Sequence, residues 1–127
     1  MTPDQILEID AKRNHPEGTS AGNLRAVINE QLRQKGHIIQ QGNTLIVFSN
    51  ADGDKDVEYH CFNADTPENL TENVMKFFEM AKKLGYETAT TPYQNPKVSE
   101  LLKAYVAKRY DVRIAKTSDG FEAKARL

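Results

Sequence analysis

In the stretch from His37 to Gly85 the spacing of apolar residues changes once, from the alternation of β-strands to the 3.6-residue period of an α-helix. This change limits the possible folds more than any other feature. Three β-prone runs come first, HIIQQ, TLIVFSN and VEYHCFNA, with Gly42-Asn43 between the first two and ADGDKD between the second and third. Gly and Asn tolerate the positive φ angles of a two-residue hairpin turn, and Asp and Gly favour turns in general. The stretch therefore predicts an antiparallel meander of three strands that is followed at once by a helix.

The helix after the meander has clear limits at both ends. Thr66 and Pro67 are suited to the N-cap and the first helical position, and Gly85 stands where the helix should stop. The predicted buried face consists of Leu70, Val74, Phe77, Phe78, Ala81 and Leu84. A face this wide must be covered by a sheet or by other helices.

Weaker patterns complete the chain on both sides. Thr2-Pro3 opens a short helix, and Ser20 opens a second helix that stops at Gly36, with an apolar stripe of Leu24, Val27, Ile28 and Leu32. Further on, YETATT is β-prone, Asn95-Pro96 caps an amphipathic helix, and DVRIAKTS and FEAKARL alternate as strands. The predicted order is ααβββαβαββ, an α/β fold in which helices flank a mixed, mostly antiparallel sheet within one domain over residues 1–127.

Composition narrows the partners and the compartment. The 127 residues include 17 basic and 18 acidic side chains, for a formal net charge of -1, and the two signs are interspersed. Without a basic stripe a nucleic-acid partner is not expected, and no apolar run reaches the length of a membrane span. MTPDQILEID lacks the features of a signal peptide and the lone Cys61 lies in an apolar run, so we expect a cytoplasmic protein.

The succession of elements resembles the GCN5-related N-acetyltransferase (GNAT) fold: two helices, a meander, a helix, a strand, a helix and a final hairpin. In that family the last strand of the meander leads into a Gln/Arg-x-x-Gly-x-Gly/Ala turn, and amides at the next helix N-terminus hold the pyrophosphate of acetyl-CoA. The resemblance implies that Phe62, Asn63, Asn69, Leu70 and Asn95 would contact this cofactor in an enzyme. Small GNAT-like chains poor in motifs also resemble proteins of tailed bacteriophages, some of which are internal virion components.

The junction HCFNADTPENLTENVMKFF departs from the family pattern. Between Asn63 and Met75 it has no glycine and no arginine, and it carries Asp65, Glu68 and Glu72. Carboxylates near a helix N-terminus stabilise the helix but repel an incoming pyrophosphate. We therefore expect no acetyl-CoA binding of useful affinity.

Three residues are candidates for proton transfer if the chain is an enzyme. Alternation in VEYHCFNA places Glu58 and His60 on one face. The resemblance implies that either can serve as the base for a substrate amine, because the corresponding strand lines the active site of GNAT enzymes. In the family a tyrosine acid stands about seven residues after an Asn; counted from Asn95 that position is Leu102, and Tyr105 lies almost one helical turn further on. Without catalysis, Glu58 is a charged residue on an open sheet face and His60 a structural hydrogen-bond donor.

The segment DGDKD resembles the start of a calcium loop, with Asp52, Asp54 and Asp56 at the spacing of the first three ligands. Val57 then stands where the loop requires glycine, and Asn63 stands where it requires a bidentate glutamate. We expect a polar hairpin turn and no metal site.

Together these features predict a GNAT-like structural or interaction protein without activity or cofactor, of a kind found in bacteriophage virions, that binds a protein partner or itself. The alternative is a divergent acyl-CoA-dependent N-acyltransferase that uses acetyl-CoA, with Glu58 or His60 as base and Tyr105 as acid. A second alternative is a small-molecule or regulatory-protein binding module that uses the cleft between VEYHCFNA and YETATT. An enzyme requires an open splay between those two strands and free amides at residues 67–72.

Overall fold

The computed structural model describes residues 1–14, 20–50 and 55–127, and these residues fold in the predicted order. The helices are α1 (Pro3–Asn14), α2 (Ala21–Arg33), α3 (Pro67–Lys83) and α4 (Pro96–Leu101), and α4 continues into a π-helical turn, Leu102–Val106. The strands are β1 (His37–Gln41), β2 (Thr44–Asn50), β3 (Asp56–Asn63), β4 (Thr88–Tyr93), β5 (Asp111–Thr117) and β6 (Gly120–Arg126). The calcium-like turn at Asp52 and Asp54 lies outside the described residues.

The described strands form one sheet in the order β1-β2-β3-β4-β6-β5. Neighbouring strands are antiparallel except β3 and β4, which run parallel because the chain crosses between them through α3. The prediction of a mixed, mostly antiparallel sheet in an α/β fold is confirmed.

Side-chain alternation along β2 divides the core into two layers. Ile46 and Phe48 pack in the layer that contains α3 and the π-helical turn, whereas Leu45 and Val47 pack against α1 and α2. Helices therefore cover both faces of the sheet.

Helix α3 forms within the limits that the sequence predicts. The Thr66 side chain accepts a hydrogen bond from the Asn69 N–H, and Pro67 occupies the first turn. At the other end Gly85 has a φ of 102°. The Gly85 N–H donates to Lys82 O, and the Tyr86 N–H donates to Ala81 O. This Schellman arrangement satisfies the last helical carbonyls and stops the helix.

The predicted buried face of α3 is confirmed at Val74, Phe77, Phe78 and Ala81, which are almost inaccessible to solvent. Leu84, predicted on the same face, is 62% exposed because it follows the last helical residue. On α2, Val27 is 50% exposed because the buried stripe centres on Leu24 and Ile28. No described helix has both the length and the apolar character needed to cross a bilayer.

Candidate functional site

Strands β3 and β4 pair over a short distance and then separate. Their parallel pairing runs only from Asp56–Thr88 to Glu58–Thr90. Beyond this point β3 stays paired with β2 as far as Asn63, and β4 stays paired with β6 as far as Tyr93. We call this opening the fork, with residues 59–63 as its β3 arm and residues 91–93 as its β4 arm.

The β3 arm presents backbone groups to the fork. The Ala64 N–H donates towards the β1–β2 turn at 3.0 Å, whereas the Asn63 N–H points to the other edge and donates to Asp10 Oδ1 at 2.9 Å. Because successive N–H groups alternate between the two edges of a strand, those of Tyr59, Cys61 and Asn63 point towards the β4 side. The Glu58–Thr90 pairing uses the Tyr59 N–H for its last ladder bond, and Asp10 accepts from the Asn63 N–H, which leaves the Cys61 N–H open to the fork. An extended ligand that carries amide groups can pair with this edge.

Glu58 and His60 lie together at the start of the fork. Glu58 is the last β3 residue paired with β4, and its Oε2 lies 3.7 Å from His60 Nε2. Their side chains are 42% and 27% exposed, so both groups are accessible from the face that carries α1 and α2. The structure therefore brings the two predicted bases together beside the opening.

Tyr105 lies on a different part of the molecule. It is 37% exposed on the π-helical turn, which packs in the α3 layer through Leu102 and Val106. Within the described residues no hydrogen bond, ion pair or ring contact connects Tyr105 to Glu58 or His60. The structure does not bring the predicted acid into contact with the predicted bases.

Tyr93, which is not among the residues that the sequence suggests for catalysis, lies at the end of the β4 arm. Its hydroxyl lies 2.7 Å from Ser99 Oγ on α4, and its ring stacks on Phe121 with a centroid distance of 5.5 Å. The only sequence signal for this placement is strand alternation in TATTPY, which cannot show that β4 separates from β3.

A cavity of about 200 Å³ lies on the other side of the β4 arm, towards the β5–β6 turn. Its lining includes Tyr93, Gln94, Asp119 and Phe121. Gly120 is needed here because a Cβ atom at this position would lie 2.4 Å from Tyr93 O. The cavity adjoins the β4 arm but does not lie between the two arms.

The side of the β3 arm that faces α3 carries groups that remain neutral near pH 7. Burial raises the pKa of the Cys61 thiol to about 12, and the nearby Asp10 carboxylate adds to this rise. Burial also raises the pKa of the Tyr59 hydroxyl, with smaller contributions from Cys61 and Tyr93. Cys61 is therefore a protonated thiol and a poor nucleophile.

The residues predicted to contact a cofactor have structural partners in this fold. Phe62 is 8% exposed in the layer beneath α1 and α2, and Leu70 packs against the α3 layer. The Asn69 N–H is used by the Thr66 cap, and the Asn95 side chain caps α4 by accepting from the Lys97 N–H at 3.0 Å. The Asn63 side chain accepts from Thr44 Oγ1 and from the Asp65 N–H, each at 2.9 Å. Their role in cofactor binding stays a prediction.

Asp65 is the centre of the junction between β3 and α3. Its Oδ2 accepts hydrogen bonds from the Asn43 N–H and from Asn73 Nδ2, both at 2.8 Å, and from Thr44 Oγ1 at 3.3 Å. Its carbonyl accepts from Arg13 Nη1 at 2.9 Å. The junction therefore ties the β1–β2 turn, α1 and α3 together.

Comparisons with known proteins bear on the fold, which is GNAT-like. Searches found no matching family model and no matching curated protein. Among solved structures, the chain is similar to a ribosomal-protein-alanine N-acetyltransferase from Brucella melitensis, with a TM-score of 0.61 and 11% identity over 100% of this chain and 97% of that one.

Two further structures show the same likeness. A GNAT-family acetyltransferase from Bacillus anthracis matches with a TM-score of 0.58 and 15% identity, over 99% of this chain and 86% of that one. An N-acetyltransferase from Staphylococcus aureus Mu50 matches with a TM-score of 0.55 and 12% identity, over 100% of this chain and 94% of that one. At these identities the likeness establishes the fold.

The prediction of a non-catalytic virion component is wrong. The similar structures described above are acetyltransferases, and none of them is a phage protein. The prediction rested mainly on the missing glycines in the turn between β3 and α3. The fork depends instead on how β3 and β4 pair, and the sequence of that turn does not reveal the pairing. The findings favour the alternative of an N-acyltransferase.

Proposed function

We propose that this chain is an N-acyltransferase that transfers an acyl group from a thioester donor such as acetyl-CoA to an amine. The observation that carries the proposal is the fork, because β3 and β4 stop pairing after Glu58–Thr90. A pantetheine arm contains amide groups, and an extended amide chain can add to an open strand edge as a further strand would. The fork therefore supports binding of the pantetheine part of the donor between the two arms.

Glu58 and His60 are the proposed proton acceptors. The donor supplies the acyl group as a thioester; the new C–N bond forms as the C–S bond breaks, the amine gives up one proton and the sulfur gains one. The Glu58 carboxylate, 3.7 Å from His60 Nε2, can take the amine proton directly or through a water molecule. Their partial exposure leaves the pair accessible to an acceptor that approaches from the α1 and α2 face.

Two tyrosines are candidates for the proton donor to the sulfur. Tyr105 is the residue that the resemblance suggests, and its hydroxyl is accessible on the π-helical turn. Tyr93 is favoured by its position on the β4 arm, where Ser99 Oγ holds its hydroxyl at 2.7 Å.

The test is acyl transfer by the purified protein, with acetyl-CoA and a panel of small amines and peptide N-termini as acceptors. Product formation is measured by mass spectrometry and thiol release by absorbance. Glu58→Gln should lower kcat by about 10²–10⁴-fold, the usual contribution of a general base. Glu8→Gln is the matched control, because Glu8 is an exposed carboxylate on α1 to which the proposed mechanism gives no role.

A wild-type protein that acylates no amine from any thioester donor would contradict the proposal. Equal kcat values for Glu58→Gln and the control would remove Glu58 from the mechanism while leaving the activity. A cytoplasmic location and a protein partner or self-association, both expected from the sequence, remain proposals that this assay does not address.

A further inference from the structure

We infer that this chain recognises its acyl donor through the pantetheine thioester and gains no binding from the nucleotide diphosphate of coenzyme A. The inference rests on the proposed function and defines the donor class of the same site. It follows from a contrast between two neighbouring places, the open fork and the junction of β3 with α3.

Most amides of the junction are already engaged within the chain, although among the described residues the Thr66 and Glu68 N–H groups have no hydrogen-bond acceptor. Pro67 has no N–H, the Ala64 N–H donates to Asn43 O at 3.0 Å, and the Leu70 N–H donates to Thr66 O at 2.8 Å. Three more amides donate to side chains. The Asn63 N–H donates to Asp10 Oδ1, the Asp65 N–H donates to Asn63 Oδ1, and the Asn69 N–H donates to Thr66 Oγ1. A diphosphate would have to displace these bonds before it could accept any of their protons.

Fixed carboxylates add a charge penalty at the same place. Asp65 cannot turn away, because its Oδ2 holds the Asn43 N–H and Asn73 Nδ2 at 2.8 Å each and Asn73 is 6% exposed. Asp10 is 3% exposed, and its carboxylate accepts a hydrogen bond from the Asn63 N–H at the end of β3. A diphosphate brought to this junction would meet carboxylates where it requires donors.

One cation at the junction acts in the opposite direction. Arg13 donates from Nη1 to the backbone carbonyl oxygen of Asp65 at 2.9 Å, so its guanidinium lies at the junction. It stands beside the fixed Asp65 carboxylate and among backbone donors of which most are occupied, so the junction lacks the set of donors that a diphosphate requires.

The fork has the opposite character. The Cys61 N–H points into it, and beyond Glu58–Thr90 no strand pairs with this edge within the described residues. The neutral thiol and hydroxyl behind that edge place no charge against an uncharged pantetheine amide. Binding energy for the donor is therefore available along the pantetheine arm and not at its nucleotide end.

The experiment compares acetyl-pantetheine with acetyl-CoA under the same conditions and with the same acceptor amine. We expect the two kcat/KM values to agree within about threefold, since removing the nucleotide removes no contact that the site uses. A preference for acetyl-CoA of about tenfold or more would overturn the inference while leaving the proposed function intact. Absence of transfer from both donors would overturn the inference together with the proposed function.

A binding measurement provides a readout that is independent of activity. Adenosine 3′,5′-bisphosphate carries the nucleotide phosphates of coenzyme A without pantetheine, and it should neither raise the melting temperature nor compete with acetyl-pantetheine. Saturable stabilisation by this probe would contradict the inference, because only a ligand of the folded state raises stability. Acetyl-phosphopantetheine attached to an acyl carrier protein is the third donor to be tested. The rate with this donor, relative to the rate with acetyl-pantetheine, shows whether the protein takes its acyl group from a carrier protein or from a free thioester. Both results are consistent with recognition of pantetheine.

Discussion

A single carboxylate, that of Asp65, joins segments that are far apart in the sequence. It accepts from the Asn43 N–H in the β1–β2 turn, from Asn73 on α3 and from Thr44 on β2. Thr44 and Asn73 are buried, so water cannot replace the carboxylate as their partner. At the scale of the residue, Asp65 is a structural centre that occupies the place where the resemblance predicts a phosphate contact.

Asp65→Ala should lower the free energy of unfolding by about 2–3 kcal/mol, because buried donors lose a charged acceptor. Urea denaturation followed by circular dichroism measures this change. Glu8→Ala, an exposed carboxylate on α1, is the control and should stay within about 0.5 kcal/mol of the wild type. A loss at Asp65 as small as that of the control would show that the hydrogen bonds around Asp65 do not contribute to stability.

Stability should fall at alkaline pH because of Cys61 and Tyr59. The folded pKa of Cys61 is raised from 9.0 to about 12, and that of Tyr59 is raised in the same direction. Above pH 9 the unfolded chain therefore binds fewer protons than the folded one, and stability decreases as the pH rises towards 12. The measurement is the urea midpoint as a function of pH, and Cys61→Ala should show a shallower decline than the wild type.

At the scale of the element, α3 is the clearest local unit of the chain. Its N-cap, its Schellman end and its apolar face are each marked by residues within or beside the helix. The rings of Phe77 and Phe78 meet Tyr59 of β3 at centroid distances of 5.3 and 5.6 Å, which places α3 directly over the β3 arm. The helix therefore supports the wall of the fork.

Phe77→Ala should cost about 3–5 kcal/mol of stability, the usual range for a large aromatic side chain removed from a core. Phe77 is 1% exposed and contacts both Phe48 and Tyr59. Leu84→Ala is the matched control beside the same helix, since Leu84 is 62% exposed and should change stability by less than about 0.5 kcal/mol. Similar losses for the two variants in urea denaturation would show that the buried face of α3 is wrongly assigned.

At the scale of the whole molecule, the candidate chemistry is divided between the two faces of the sheet. Glu58 and His60 are reached from the α1 and α2 face, whereas Tyr93 and Tyr105 belong to the layer of α3 and α4. The fork is the opening between those faces among the described strands. A donor held in the fork would thus present its thioester to groups from both layers.

Tyr93→Phe should lower kcat more than Tyr105→Phe, because Tyr93 lies on the β4 arm and Tyr105 lies outside the fork. A loss of about 10²-fold or more for Tyr93→Phe would fit a general acid. The pH profile of kcat separates this role from a structural one, since loss of the acid removes the alkaline limb whereas a packing defect lowers the whole curve. A larger effect at Tyr105 would restore the acid that the family resemblance suggests.

Much of the fold follows from the sequence because its signals are local. Gly42-Asn43, Thr66-Pro67 and Gly85 set the ends of strands and helices by their own backbone preferences. Hydrophobic alternation then places Glu58 and His60 on one face, and the structure brings them to 3.7 Å of each other. The site residues that the sequence identifies correctly as neighbours are those that share one strand.

By itself the sequence determined the order of the elements, the extent of α3 and the acidic character of its N-terminal junction. Only the tertiary structure decided that β3 and β4 separate after Glu58–Thr90. It also decided that Asp65 accepts from Asn43, 22 residues away in the sequence, and that Asp10 accepts from Asn63, 53 residues away. The physical reason is that strand pairing and buried hydrogen bonds depend on which distant groups meet when the two layers pack, and no local pattern of residues specifies that meeting.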